Sequence, residues 1–222
     1  SAYRIAQETD SGERVLIDTG MNRKHIDDPD ANFRGYPFAK ALTTIMRPED
    51  DIVFRLGELG LKPADIDILV CTHFHFDHAG NNADFTGSRV IAHRAAFEWA
   101  QAHPGPFPEA EWNPPAIAFD LIDGDLELLP GITLLATPGH VPGHLSVMVR
   151  LPNNGTVVLA IDAIYTRENV ETDNWQGQAL PEEGRASAIR LLELAANENG
   201  LVIPGHDPSD WDALQFAPFF YD

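Results

Sequence analysis

The chain has 222 residues, with 34 acidic against 15 basic side chains and a formal net charge of −19. Nucleic-acid binding depends largely on Lys and Arg side chains that neutralise phosphates, so this balance argues against a partner of DNA or RNA. No apolar run approaches the roughly 18 residues that a bilayer-spanning helix needs, and we expect no membrane insertion. The single cysteine, Cys71, excludes an internal disulfide. We therefore expect a cytoplasmic protein with a single domain over residues 1–222.

The first part of the chain predicts two strands, a polar loop and a helix. The strands lie around residues 3–7 and 14–18. Because Ser1 already begins a strand, we expect a truncated N-terminus. Residues 21–47 are polar and irregular. Pro48 and the acids after it favour a helix start, and the apolar face of this helix is formed by Ile52, Val53, Leu56 and Leu59.

The densest group of metal-binding side chains follows a predicted strand at residues 66–71. Four donors fall within six residues: His73, His75, Asp77 and His78. Neutral imidazole and carboxylate are ligands that Zn²⁺ and similar cations prefer. Side chains two apart in an extended chain point the same way, so the first two histidines can converge on one ion. The other two donors follow a turn and can face a second ion. The alternative interpretation, surface histidines with an Asp that caps a turn, is disfavoured because four metal-binding side chains fall within six residues.

A strand, a helix and a proline-rich loop come next. Residues 89–92 read as the strand and residues 94–102 as the helix. Residues 103–115 contain five prolines and the aromatic side chains Phe107 and Trp112. These two aromatics are candidate substrate contacts in a loop that covers the site. A plain surface loop is the alternative.

Four further apolar runs end at residue types that bind metals or orient metal ligands. The runs cover residues 15–17, 132–136, 157–161 and 201–203. They lead, in chain order, to Asp18, His140, Asp162 and His206. In layered α/β folds the working crevice lies outside the C-terminal ends of the strands. We therefore expect one site that collects His73, His75, Asp77, His78, His140, Asp162 and His206.

The C-terminal half also predicts a hairpin and a long helix. Asn154-Gly155 between two apolar runs is a strong hairpin signal. Residues 182–197 form an amphipathic pattern whose apolar side chains are Ile189, Leu191, Leu192 and Leu194.

Four histidines and the cysteine are expected to lie outside the ligand set. We expect His144 and His93 to be hydrogen-bonded structural residues. His25 and His103 lie in polar loops and should face solvent. Cys71 precedes His73 by two residues, and we interpret it as a small buried apolar residue rather than a ligand.

The order His-x-His-x-Asp-His, then His, Asp and His, is similar to the metallo-β-lactamase superfamily. The segments Thr72–Gly80, Thr137–His144 and Ile161–Thr166 together resemble the N-acyl homoserine lactone lactonases. In that group a Tyr three residues after the bridging Asp belongs to the active site, and Tyr165 occupies this position here. The resemblance implies an α/β fold, the αββα sandwich with two β-sheets packed between outer helices.

The resemblance also assigns the ligands to two divalent metal ions. The first ion would take His73, His75 and His140. The second would take Asp77, His78 and His206. Asp162 would bridge both. Zn²⁺ suits this set, and Co²⁺, Mn²⁺ or Fe²⁺ also fit. We expect Asp18 to orient ligands through hydrogen bonds, with a turn-capping Asp as the alternative.

This assignment implies hydrolysis of a small-molecule lactone. A hydroxide between the two ions would attack the ester carbonyl. Tyr165 would stabilise the oxyanion, and Asp77 would pass a proton to the leaving alkoxide. An N-acyl homoserine lactone is the expected substrate. The alternatives are another ring, of the pyridoxolactone or γ-butyrolactone type, another ester or thioester hydrolase of this fold, and a non-catalytic metal-binding or ligand-sensing protein.

Overall fold

The structure is a computed structural model that describes residues 6–8, 12–36, 40, 42–105, 109–209, 214–215 and 221–222. The chain divides into two compact units. The first comprises residues 1–91 and 100–120, and the second comprises residues 92–99 and 121–222. Among the described residues, no helix combines the length and the apolar character that crossing a bilayer requires.

The described residues contain ten strands and five α-helices, separated by loops and short 3₁₀ turns. The elements up to residue 122 are β1 (Ala6–Glu8), β2 (Arg14–Ile17), α1 (Ile52–Glu58), β3 (Ile68–Cys71), β4 (Arg89–His93), α2 (Arg94–Ala102), α3 (Glu109–Trp112) and β5 (Phe119–Ile122). The remaining elements are β6 (Leu126–Leu129), β7 (Ile132–Ala136), β8 (Leu145–Leu151), β9 (Gly155–Ile161), α4 (Arg167–Glu171), α5 (Pro181–Asn197) and β10 (Leu201–Pro204).

The first sheet has the strand order β1-β2-β3-β4-β5. β2 runs antiparallel to β1 and parallel to β3, with Leu16 opposite Leu69. β3 is buried along its whole length, which agrees with its continuous apolar sequence. Because β2 and β3 are parallel, their C-terminal ends lie at the same edge of the sheet. The Asp18 amide donates to the Val70 carbonyl at 2.9 Å, so Asp18 leaves the sheet beside the end of β3.

The helix predicted after Pro48 begins slightly later than expected. Pro48–Asp50 is a 3₁₀ turn, and α1 starts at Ile52. Asp51 caps it, since its side chain accepts hydrogen bonds from the amides of Val53 and Phe54. Leu59 was predicted on the apolar face, but it lies beyond the helix end and is 43% exposed. The core of the first unit contains the buried side chains Leu16, Ile52, Leu56, Ile66, Leu69, Phe85 and Val90.

The second sheet has the strand order β10-β9-β8-β7-β6. Its pairs are antiparallel except for β9 with β10, which are parallel. The predicted hairpin at Asn154-Gly155 joins β8 to β9, and Gly155 has the positive φ of 74° that such a turn needs. Because β9 and β10 are parallel, their C-terminal ends lie at one edge of the sheet. Asp162 and His206 follow these strand ends in the chain.

The helix predicted over residues 182–197 is confirmed as α5. It buries Ala188, Leu191 and Ala195 in a cluster that also contains Met148 and Val158. Ile189 was predicted on the apolar face but is 39% exposed, because the buried stripe follows the small alanines instead. The strands β5 and β6 were not predicted, since their side chains are only partly buried.

Candidate metal centre

The segment that follows β3 brings its histidines together within the first unit. The rings of His73 and His75 have centroids 4.6 Å apart, and a ligand atom of one lies within 4.8 Å of a ligand atom of the other. The chain then turns, because the amides of His78 and Ala79 both donate to the His75 carbonyl, at 3.0 and 2.9 Å. Within this turn, His78 Nε2 lies 3.8 Å from a carboxylate oxygen of the preceding residue, Asp77.

Asp18 is completely buried and fixes the orientation of His78. Its Oδ2 accepts hydrogen bonds from His78 Nδ1 at 2.8 Å and from the Thr72 hydroxyl at 2.7 Å. Its Oδ1 accepts from the Thr72 amide at 2.8 Å. Since Nδ1 of His78 is used in this way, Nε2 is the nitrogen with which His78 would bind a metal. Burial raises the pKa of the Asp18 carboxyl, and the bonds from His78 and Thr72 oppose that rise.

Gly80, at the end of the motif, is required by close backbone packing. A Cβ at this position would lie 2.5 Å from the Asn22 nitrogen and 2.8 Å from the Gly20 carbonyl oxygen. The Gly80 amide donates to that same carbonyl at 3.0 Å. The loop after β2 and the turn after β3 are therefore fixed to each other, which supports the Asp18 contact with His78.

In the second unit, Asp162 directs each of its two oxygens at a different histidine. Oδ2 lies 3.3 Å from His140 Nε2, and Oδ1 lies 3.2 Å from His206 Nε2. Two ligands bound at roughly 2.1 Å to one tetrahedral ion are about 3.4 Å apart. Both separations therefore fit ligands that share an ion. A carboxylate that faces one histidine with each oxygen has the arrangement of a bridge between two ions.

Tyr165 contacts one of these histidines directly. Its hydroxyl lies 2.6 Å from His140 Nδ1, whereas the other ring nitrogen, Nε2, faces Asp162. The amide of His206 donates to the Tyr165 carbonyl at 2.7 Å, which fixes the two segments side by side. The sequence placed Tyr165 near the ligands through the family resemblance. It carried no signal for the bond to His140, which lies 25 residues away.

Trp112 lies in a group of aromatic side chains in the first unit. It is 3% exposed, and its ring centroid is 4.7 Å from that of Phe74. It lies beside His75 and Phe76 as well. The loop predicted over residues 103–115 contains the short helix α3, which places Trp112 at its last position. Phe107 lies outside the described residues.

The prediction for His25 was wrong. This histidine is completely buried, its Nδ1 lies 3.1 Å from the Pro29 carbonyl, and its ring packs 5.2 Å from that of Phe33. The polar loop folds back on itself, so the composition of the loop was a poor guide to the exposure of His25. Burial lowers the pKa of His25, which favours the neutral ring. His103 is exposed, as predicted.

Cys71 is buried, as predicted. Burial raises the pKa of its thiol well above the usual value, which favours the protonated thiol. Its sulfur instead donates to the His73 carbonyl at 3.3 Å. The donors that remain are imidazole nitrogens and carboxylate oxygens, which are those of a divalent-metal site.

A family model for the metallo-beta-lactamase superfamily matches residues 1–206 of this chain. The chain belongs to the metallo-β-lactamase superfamily. The fold class predicted from the sequence is thereby confirmed. Within this superfamily the chain is 36% identical to the N-acyl homoserine lactonase AiiA of Bacillus thuringiensis subsp. kurstaki, over 90% of its own length and 78% of that protein. It is 30% identical to the N-acyl homoserine lactonase AttM of Azorhizobium caulinodans, over 94% of its own length and 82% of that protein.

Solved structures show the same relationship. A structure of an N-acyl homoserine lactone hydrolase, with the product N-hexanoyl-L-homoserine bound at its catalytic metal centre, superposes with a TM-score of 0.88 at 34% identity. The match covers 96% of this chain and 84% of that one. The dizinc quorum-quenching lactonase AidC shares the fold, with a TM-score of 0.65 at 18% identity over 96% of this chain and 76% of that one.

Proposed function

We propose that this protein is a metal-dependent lactonase that hydrolyses the ring ester of N-acyl homoserine lactones, a quorum-quenching activity. The relatives named for this activity match nearly the whole chain. The observation that carries the proposal is the position of Tyr165. It follows Asp162 by three residues, and its hydroxyl lies 2.6 Å from a proposed metal ligand, His140. The single cysteine supports a cytoplasmic location.

We propose that two divalent ions, Zn²⁺ in the first instance and Co²⁺, Mn²⁺ or Fe²⁺ as alternatives, bind the seven ligands predicted from the sequence. Each unit supports this proposal separately. In the first unit, the rings of His73 and His75 lie close together after β3. In the second unit, the two oxygens of Asp162 each face a different histidine. The superfamily membership supports the pairing of these two sets. When bound, such ions activate water at neutral pH and polarise a carbonyl group.

His140 and Tyr165 together determine where the phenolic proton points. An imidazole that gives the lone pair of Nε2 to a metal carries its proton on Nδ1. Nδ1 of His140 then donates to the Tyr165 oxygen across the 2.6 Å contact. In this arrangement the Tyr165 oxygen is the acceptor, and its own proton points away from His140. We propose that it is donated to the oxyanion that forms when the lactone carbonyl is attacked.

Asp77 is the proposed proton donor to the leaving alkoxide. It is half-buried, at the turn that follows His75, and one of its oxygens lies 3.8 Å from His78 Nε2. A carboxylate that binds a metal through one oxygen retains a second oxygen for proton transfer. Ring opening requires one proton at the alkoxide, and Asp77 would accept a proton released by the attacking water and pass it to that oxygen.

Trp112 is proposed to border the substrate. Its support is its place in the loop predicted over residues 103–115, where its ring packs against Phe74 of the segment that carries the proposed ligands. Phe107, from the same predicted loop, is proposed to act with it on the strength of the sequence alone.

The proposed function is tested by comparing the metal-loaded and chelator-treated protein on N-hexanoyl-homoserine lactone. We expect ring opening, measured by proton release, that is lost on chelation and restored by added Zn²⁺. Parallel assays use a pyridoxolactone, a simple γ-butyrolactone and a thioester. Faster turnover of one of these would reassign the substrate. Binding of the acyl homoserine lactone without turnover in the metal-loaded protein would favour a ligand sensor instead.

A further inference from the structure

The main chain around Asp162 adopts a conformation that needs support. Ile161, the last residue of β9, has a φ of +53°, a left-handed value that β-branched residues rarely adopt. The segment that follows β10 packs closely against this turn, because a Cβ at Gly205 would lie 2.4 Å from the Ile161 carbonyl oxygen. The direction of the Asp162 carboxylate depends on this turn being held in one geometry.

His144 holds the amide of Asp162 from one side. Its Nε2 accepts a hydrogen bond from the Asp162 main-chain N–H at 3.2 Å, and both groups are buried. A main-chain amide can only donate, so Nε2 must carry the lone pair and Nδ1 the proton. Nδ1 then donates to the Thr137 hydroxyl at 2.9 Å. The contacts thus select one neutral tautomer of His144.

The same chain of hydrogen bonds returns to β9. Thr137 Oγ1 lies 2.9 Å from Ser146 Oγ, and Ser146 donates to the Ala160 carbonyl at 2.9 Å. Every proton runs in one direction, from His144 through Thr137 and Ser146 to Ala160. The side chains of Thr137, His144 and Ser146 are completely buried. The network therefore fixes the end of β9 at the Ala160 carbonyl and the residue after the strand at the Asp162 amide.

Gln178 holds the carbonyl of Asp162 from the other side. Its Nε2 donates to the Asp162 and Ala163 carbonyls, at 3.1 and 3.2 Å. Because both neighbours are acceptors, the NH₂ group of the Gln178 side chain, and not its oxygen, must face Asp162 and Ala163. Two glycines make room for it, since a Cβ at Gly184 or Gly139 would lie 2.2 or 2.8 Å from Gln178 Oε1.

We propose that His144 and Gln178 are positioning residues that clamp the Asp162 peptide and so direct its carboxylate at both metal ions. The proposal rests on the proposed function of this centre. Neither residue contacts substrate or metal in it. Both hold the main chain of Asp162, and the His144 ring also packs edge-on against that of His140, with centroids 5.8 Å apart. The main-chain contacts explain how a strained turn can present a bridging ligand in a fixed orientation.

Two substitutions at His144 separate its two hydrogen bonds. His144→Gln places an oxygen near the position of Nε2, where it can accept from the Asp162 amide. His144→Asn places an NH₂ group near Nδ1, where it can donate to Thr137 but leaves the Asp162 amide without its acceptor. The measurements are metal content after dialysis against a graded chelator, the visible absorption of the Co²⁺ form, and the melting temperature. His103→Asn, at an exposed histidine, is the control.

We expect His144→Asn to bind metal about 10–100-fold more weakly than the wild type, as for loss of other groups that orient metal ligands, with an altered Co²⁺ spectrum. His144→Gln should bind about tenfold more tightly than His144→Asn. Equal or reversed affinities at similar melting temperatures would overturn the proposal. If both variants fail to fold, Gln178→Met, which removes the donor at similar volume, provides the same test. A wild type that binds two metals but opens no lactone would refute the proposed function while leaving this metal-affinity test intact.

Discussion

Replacing Asp18 with Asn isolates the contribution of one carboxylate to the metal centre. Asp18 has a φ of +57°. Asn tolerates this left-handed conformation about as well as Asp does, so the backbone should not move. The amide also has nearly the same shape. The change therefore alters charge and hydrogen bonding, whereas Ala would add backbone strain.

The magnitude follows from the three hydrogen bonds that Asp18 accepts. With its NH₂ placed at Oδ2, the amide of Asn faces the Nδ1 proton of His78. With its NH₂ placed at Oδ1, it faces the Thr72 amide, so one buried donor meets another in either orientation. Leaving a buried donor unsatisfied costs roughly 1–3 kcal/mol. For a chain of this size, a loss of about 2 kcal/mol lowers Tm by roughly 4–8 °C.

Metal affinity should fall as well. An Asn NH₂ that donates to His78 Nδ1 forces the ring proton onto Nε2, the nitrogen proposed to bind metal. We expect a loss of about 10–100-fold in affinity, typical for partners of metal-binding histidines, which corresponds to roughly 1.4–2.7 kcal/mol. The assay is chelator competition followed by elemental analysis, with Tm of the metal-free protein measured in parallel.

The control is Asp67→Asn in the same unit. Asp67 is an exposed carboxylate that accepts from the Arg14 amide at 2.8 Å, and it should affect neither measurement strongly. If Asp18→Asn lowered Tm of the metal-free protein but left metal affinity within twofold of the wild type, Asp18 would be a turn cap only. A role for Asp18 in orienting His78 as a ligand would then be refuted.

Four further predictions concern the centre and its partners. Elemental analysis should find close to two transition metals per chain, and one metal at full activity would contradict the binuclear assignment. Asp162→Ala should lower occupancy at both positions and remove most activity, whereas two retained metals with normal turnover would show that Asp162 does not bridge. Tyr165→Phe should retain the fold and should bind both ions at saturating metal, but its kcat should fall by on the order of 10²–10³-fold. An unchanged kcat would mean that Tyr165 has only a packing role. The protein should not bind DNA or RNA, because 34 acidic residues face 15 basic ones; salt-sensitive binding in a filter assay would contradict this.

The sequence predicted the strand ends well because buried strands leave a strong local signal. β3 and β9 are continuous apolar runs, and the residue types that follow them are unusual enough to stand out. The same local reasoning predicted α2 and the β8–β9 hairpin. It missed β5 and β6, whose half-exposed patterns resemble loops.

Contacts between distant segments were beyond local reasoning. The bond between Tyr165 and His140 joins residues on separate loops, and the acceptor role of His144 toward Asp162 depends on how β8 pairs with β9. The burial of His25 likewise arises from a fold-back of its loop against Phe33. A single sequence shows which residues can make such bonds, but the partner is selected by strand register and loop path.

The closeness of four donors within the segment His73–His78 affects how the protein folds in the presence of metal. An unfolded chain already contains this segment, so it can chelate an ion before any strand has paired. The hydrogen bond between Asp18 and His78 joins residues 60 positions apart, and it forms only after β2 has paired with β3. A ligand that binds both states stabilises the folded one by less than its native affinity suggests. Excess metal added before refolding should therefore trap local chelates and slow the approach to the native state.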